Sequence, residues 1–258
     1  DLDKVKTITK GKGLKNTGIM IDYHYCTHDL NQYPTASGQD EIGLIRLCSR
    51  KEDIDQALIF GEKLKAYTDL EVSFNIFNTS NYTSLELFEF TEKAVKYNFD
   101  YIYFADTHGS LYLKEDFKDF KDSIDLINKN NIKSGIHLHN HSGKAFSNYE
   151  YILKNNISSS DTSIRGMGKG SGNLSLEFVI DDFHLPRLAS FILKYNELLT
   201  LKLNPYELIT SKHSVTDNYA KQAFEMNLNL ESFDVFLSNL EGISRDSFSE
   251  NYLLNYFK

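Results

Sequence analysis

From residue 17 onward the chain alternates between two apolar patterns. Short β-prone runs recur as GIMIDY (18–23), IGLIRLC (42–48), LEVSFNIF (70–77), FDYIYFAD (99–106), IKSGIHLHN (132–140) and ISSSDTSI (157–164). Between most of them lie segments whose apolar residues fall three and four apart, at 53–67, 84–97, 114–130 and 144–155. In the first, Ile54, Ala57, Leu58, Gly61 and Leu64 share a face; in the third, Phe117, Phe120, Ile124 and Ile127 do so. That is the spacing of an amphipathic helix. Strand–helix alternation of this kind predicts βαβ units and a parallel sheet. The link 24–41, with Pro34 and Gly38, reads as a loop. After Leu185 the rhythm changes. Pro186–Leu201 reads as a helix with proline in its first turn, and everything onward to Lys258 reads as helical. Two regions are therefore expected: an α/β region over 1–185 and a helical region over 186–258.

Composition narrows the class without naming a function. Apolar residues make up 41% of the 258, enough for a sizeable core, and the net charge is −8. An acidic chain argues against nucleic-acid binding, whose footprint is basic. Cys26 and Cys48 are the only cysteines, so no disulfide framework is implied. No apolar run approaches the ~20 residues of a membrane span, and no signal segment opens the chain. A cytoplasmic, soluble enzyme is the expected setting.

The densest chemistry lies in SGIHLHNHSGKAFSN, 134–148. On a strand, Ile136 and Leu138 point one way while His137 and His139 point the other. Two imidazoles so placed at a strand's C-terminal end can hold one divalent ion, at the edge where α/β sheets carry their sites. The plainer alternative is two polar residues at a strand end. A second stretch, IRGMGKGSGNLSLE (164–177), alternates Gly166, Gly168, Gly170 and Gly172. It matches neither a Walker A loop nor a dinucleotide fingerprint. It is either a mobile surface loop or a place where backbone passes close to a ligand, leading into a helix capped by Asn173.

Taken together, HLHNHSGKAFSN, SIRGMGKGSGNLSLE and the preceding FADTHGS (104–110) resemble the last strands of the HMG-CoA-lyase-like, or DRE-TIM metallolyase, superfamily. The likeness spans roughly Gly18 to Asp182 and is nearest to 4-hydroxy-2-oxovalerate aldolase-type proteins. It implies a TIM-type (β/α) barrel. By this resemblance GIMIDY is the family's third strand, so the first two βα units, with their T-L-R-D-G motif, are expected to be missing. The family's catalytic Arg and Asp go with them, which leaves no catalytic residue assigned; Asp22 lies on the wrong strand to substitute.

The resemblance implies His137, His139 and Asn173 as ligands of a divalent metal (Mn, Mg, Co or Zn). It implies Asp106, Thr107, Arg46, His141, Gly168 and Gly170 as the surroundings of a small 2-oxo acid substrate. His141 and His108 depart from the residues common in the family, and His213 and Tyr219 are placed where they could close over the site. The implied activity is carbon–carbon bond cleavage in a 4-hydroxy-2-oxo acid, releasing pyruvate and an aldehyde. The alternatives are a Claisen-type acyl-CoA-dependent synthase of the isopropylmalate or citramalate kind, and a non-catalytic truncated subunit. With two His and one Asn the metal has no protein anion, so this chain alone is expected to bind metal weakly and to catalyse little, a form or partner that supplies the missing strands being competent. An incomplete barrel exposes strand edges, so a homo-oligomer, or association with a chain supplying the missing strands, is expected.

Overall fold

The computed structural model describes residues 7–8, 17–35, 42–199 and 204–257, with backbone alone for 113–119. The Phe117 side chain, the loop end at 36–41 and the helix end at 200–203 lie outside the described residues. Six strands form one sheet: β1 (Thr17–Asp22), β2 (Ile42–Ser49), β3 (Glu71–Ile76), β4 (Tyr101–Asp106), β5 (Lys133–Leu138) and β6 (Ser159–Asp161). Their spatial order is their chain order and every neighbouring pair is parallel. Helices α1 (Ile54–Thr68), α2 (Ser84–Ala94), α3 (Leu113–Lys129) and α4 (Ala145–Leu153) fill the crossovers. The arrangement is a parallel half-barrel, in keeping with part of a TIM-type fold.

The two faces of the sheet differ because strand side chains alternate. Val72, Phe74, Ile76, Ile102, Phe104, Ile136 and Leu138 are buried together with Leu58, Leu64, Leu87, Phe120, Ile124, Ile127 and Ile152 from the helices. The opposite face carries Arg46, Ser73, Asn75, Tyr103, His137 and Asp161. Arg46 on β2 reaches Asp161 on β6 at 2.6 Å, so the sheet curls until side chains of its second and sixth strands meet across the concave side. Helix starts follow ordinary capping. Thr83 and Glu86 form a reciprocal capping box at α2.

Two expectations need correction. The last run shortens to a three-residue strand, because SSSD offers the helices no apolar face to bury. The helix expected after Asn173 is a single 3-10 turn, Leu176–Phe178, with Ser175 ahead of it. Beyond this, α5 (Leu185–Lys194) stops short of the expected 201. Then come α6 (Pro205–Lys212), α7 (Asn218–Glu225), α8 (Leu230–Ser238), α9 (Ile243–Asp246) and α10 (Glu250–Tyr256). Tyr206, Val215, Tyr219, Phe233, Phe236, Leu237 and Leu253 give these last helices an apolar core of their own.

Candidate active site

The concave face gathers its polar groups around Asp161. Register places Asp161 directly across from His137 on the neighbouring strand, and His137 Nδ1 lies 2.8 Å from Asp161 Oδ2. The same oxygen accepts from Arg46 Nη1 at 2.6 Å. Burial pushes the Asp161 carboxyl up, but His137 and Arg46 together outweigh it and hold the group below the usual carboxylate range. The guanidinium lies 4.3 Å above the Tyr103 ring, a cation–π contact. Tyr103 can lie flat only because residue 135 is glycine, where a Cβ would come within 2.4 Å of the ring. Its hydroxyl donates to Ser159 Oγ at 2.7 Å. Arg46 Nε and Nη2 are buried and have no hydrogen-bond partner among the described residues.

His139 stands one step beyond the strand. The segment 172–174 closes on it: Asn140 N–H donates to Gly172 O at 2.8 Å, Leu174 N–H to Leu138 O at 2.9 Å, and His139 and Asn173 bridge antiparallel. The rings of His137, His139 and His141 form a ladder with centroids 5.0 Å apart at each step. Burial first, then His137 and His141, hold His139 well below the usual imidazole range, so it is neutral with a lone pair free. His139 Nδ1 and Asn173 Oδ1 are both buried with no hydrogen-bond partner among the described residues. The glycine loop packs against these side chains. A Cβ at Gly168 would come 2.4 Å from Asn173 Nδ2, and one at Gly170 would come 2.5 Å from His141 Nε2.

Two imidazoles and an orphaned amide oxygen fit a divalent ion. His137 gives its Nδ1 to a carboxylate, as metal-ligating histidines commonly do, which leaves Nε2 as donor. Among the described residues no three His, Cys, Asp or Glu side chains group as a metal site, so the third ligand of such a set would be the Asn173 amide.

The other expected residues divide. His141 is buried, with Nε2 3.2 Å from Lys169 O. Thr107 Oγ1 accepts from Asn78 N–H at 3.0 Å. Asp106 points to the helix side, where its carboxylate accepts from Ser110 N–H at 2.8 Å and Leu111 N–H at 3.3 Å. Burial pushes it up to about 7. Tyr219 and His213 do not close over the site: Tyr219 is wholly buried in the helical core, and His213 pairs with Asp234 at 2.7 Å. What does touch the site's rim from the helices is Asp217 against Lys169, Glu207 against Ser171, and Asp246 against His108 at 3.0 Å. Sequence reasoning missed Asp161 and Tyr103. The available signal for Asp161 was that it is the one acid in the last β-prone run.

No curated protein matches the chain by sequence. Among solved structures, the chain is similar to the N-terminal domain of a protein provisionally assigned as an aldolase, from Bacteroides vulgatus. That match has a TM-score of 0.63 and 17% identity, covering 88% of this chain and 79% of that one. It is also similar to Rhizobium etli pyruvate carboxylase in a T882A variant (TM-score 0.60, 13% identity, 76% of this chain) and to that enzyme's carboxyl transferase domain (TM-score 0.58, 13% identity). The chain spans 22% of the whole carboxylase and 37% of the carboxyl transferase chain. At these identities the likeness is one of fold. The sequence pattern that defines the HMGL-like family matches residues 46–202, more than half of the 258, and the chain belongs to that family.

Proposed function

We propose that the chain is a divalent-metal-dependent carbon–carbon bond lyase that cleaves a 4-hydroxy-2-oxo acid to pyruvate and an aldehyde. The observation that supports this reading is the conjunction of the adjacent His137 and His139 rings with Asn173 Oδ1 and two Arg46 donors that have no hydrogen-bond partner among the described residues. His137, His139 and Asn173 would hold the ion, manganese or another of its kind. A bound divalent ion supplies Lewis-acid polarisation of the 2-oxo carbonyl.

The chain's own residues do the rest. Arg46 offers Nε and Nη2 as a fork for the substrate carboxylate, geometry that suits guanidinium better than ammonium. Tyr103 beneath it keeps the fork from swinging away. Thr107 and His141 would border the substrate, and close packing of the loop at Gly168 and Gly170 would keep Asn173 and His141 in place. No described helix is long and apolar enough to cross a membrane. A cytoplasmic setting, and association through β1 and β6, the sheet's edges among the described residues, with a second copy or a chain carrying the two βα units that the resemblance implies, complete the proposal.

The test is retro-aldol release of pyruvate from 4-hydroxy-2-oxovalerate with added Mn²⁺, coupled to lactate dehydrogenase. His137→Ala and His139→Ala should each abolish it. Release of free thiol from acetyl-CoA, with no pyruvate formed, would overturn the aldolase reading in favour of a Claisen-type synthase.

A further inference from the structure

The lumen holds a carboxylate, Asp161, that the reading above does not use. Asp161 Oδ2 receives His137 Nδ1 at 2.8 Å and Arg46 Nη1 at 2.6 Å. Those donors come from strands on opposite sides of the curled sheet, one a candidate metal ligand and the other the candidate carboxylate fork. An oxygen already accepting two such donors is poorly placed to bind an ion itself. It is well placed to fix the two groups that would meet the ion and the substrate.

We propose that Asp161 is a positioning residue. By accepting from His137 Nδ1–H it fixes the tautomer that leaves Nε2 bare toward the lumen, and by accepting from Arg46 Nη1 it turns the free Nε and Nη2 toward the same space. The inference rests on the metal-lyase reading for its purpose, but the His137 tautomer is a property of the metal-free chain. Three further features agree with it. His137 and Asp161 are Cα partners in the sheet, so the contact is set by register and not by a flexible loop. Tyr103 stacks against the guanidinium and anchors its own hydroxyl on Ser159, two residues from Asp161 on the same strand. Finally, the two Arg46 nitrogens not bonded to Asp161 are buried and have no partner among the described residues, so Asp161 decides which donors remain free. Carboxylates behind ligating histidines are worth roughly 10- to 100-fold in metal affinity.

The experiment uses the whole chain labelled with ¹⁵N at histidine. Long-range ¹H–¹⁵N spectra of the metal-free protein assign the His137 tautomer, and Mn²⁺ titration followed by EPR gives affinity. Wild type is expected to carry the His137 proton on Nδ1. Asp161→Ala is expected to shift the ring toward the Nε2–H form that free histidine favours and to weaken Mn²⁺ binding roughly 10- to 100-fold. Asp161→Asn, which keeps an acceptor oxygen, is expected to retain the tautomer and lose less affinity. A wild-type His137 protonated on Nε2 overturns the proposal, and that reading needs no variant to fold. So does a folded Asp161→Ala protein with unchanged tautomer or unchanged Mn²⁺ affinity. If wild type binds no Mn²⁺ while its tautomer responds to Asp161, the positioning stands and the metal-lyase reading above falls.

Discussion

Two carboxylates, Asp161 half-buried and Asp106 fully buried, show how partners join burial in setting a residue's state. Asp161 and Asp106 both lose solvent, yet Asp161 is held below the usual range while Asp106 is pushed up to about 7. Asp161 faces a guanidinium and an imidazole, and charged donors favour the anion. Asp106 meets mainly backbone N–H groups of its own turn, and in its fully buried position desolvation outweighs them. This difference has a consequence for stability. In the unfolded chain Asp106 ionises near ~3.9; in the folded chain it stays protonated to about 7. Between these values only the unfolded state releases the proton. The stability this group contributes is therefore complete at low pH and lost as pH rises toward 7. Asp106→Asn keeps an acceptor for Ser110 and removes the ionisation. Urea titrations should show wild type losing, on the order of a few kcal/mol, more stability than Asp106→Asn between pH 5 and pH 8. An identical pH dependence in the two proteins would rule this out.

At the scale of elements, the sequence was legible wherever an apolar face had to be buried. Ile45, Leu47, Val72, Phe74, Ile102, Phe104, Ile136 and Leu138 fix the strand phase, and that phase sends His137 to the concave side without any knowledge of the fold. What was not legible depends on register between distant segments. Asp161 meets His137 from 24 positions away, and Tyr103 meets Arg46 across the sheet. No local spacing encodes either contact. The glycine loop was readable as a close approach, but what it approaches is the Asn173 amide and the His141 ring, and it leads into no helix.

Glycine substitutions test these packing claims. In Gly135→Ala the new methyl would meet the Tyr103 ring at 2.4 Å. A ring held on both sides cannot yield cheaply, so a loss of about 1–3 kcal/mol is expected in thermal or urea unfolding. In Gly168→Ala the methyl would meet Asn173 Nδ2 at 2.4 Å; Mn²⁺ affinity should fall about tenfold, equivalent to ~1.4 kcal/mol. Gly18→Ala, where the nearest atom is an ordinary 3.5 Å away, is the control expected to leave Mn²⁺ affinity unchanged. Equal effects from Gly168→Ala and Gly18→Ala would show that the loop does not hold Asn173.

The whole molecule has two apolar cores, one beneath the sheet and one among the last helices, and polar pairs join them. Asp246 accepts from Asn81 Nδ2 at 2.7 Å and lies 3.0 Å from His108 Nε2. Ser211 Oγ donates to Gly109 O at 2.8 Å, and Ser110 Oγ donates to Ser211 O at 2.7 Å. Junctions built this way resemble transient interfaces and separate more readily than a shared core. His108 makes the junction sensitive. It is 2% exposed, its Nδ1 has no partner, and burial holds it below the usual imidazole range. Asp246→Ala would leave the ring buried with neither nitrogen bonded, at a cost of about 1–3 kcal/mol. The effect should be local to the junction. Hydrogen exchange should quicken in α6 to α10 while β3 to β5 keep their protection, because the sheet's apolar core is untouched. If exchange quickened equally in strands and helices, the two cores would be one cooperative unit.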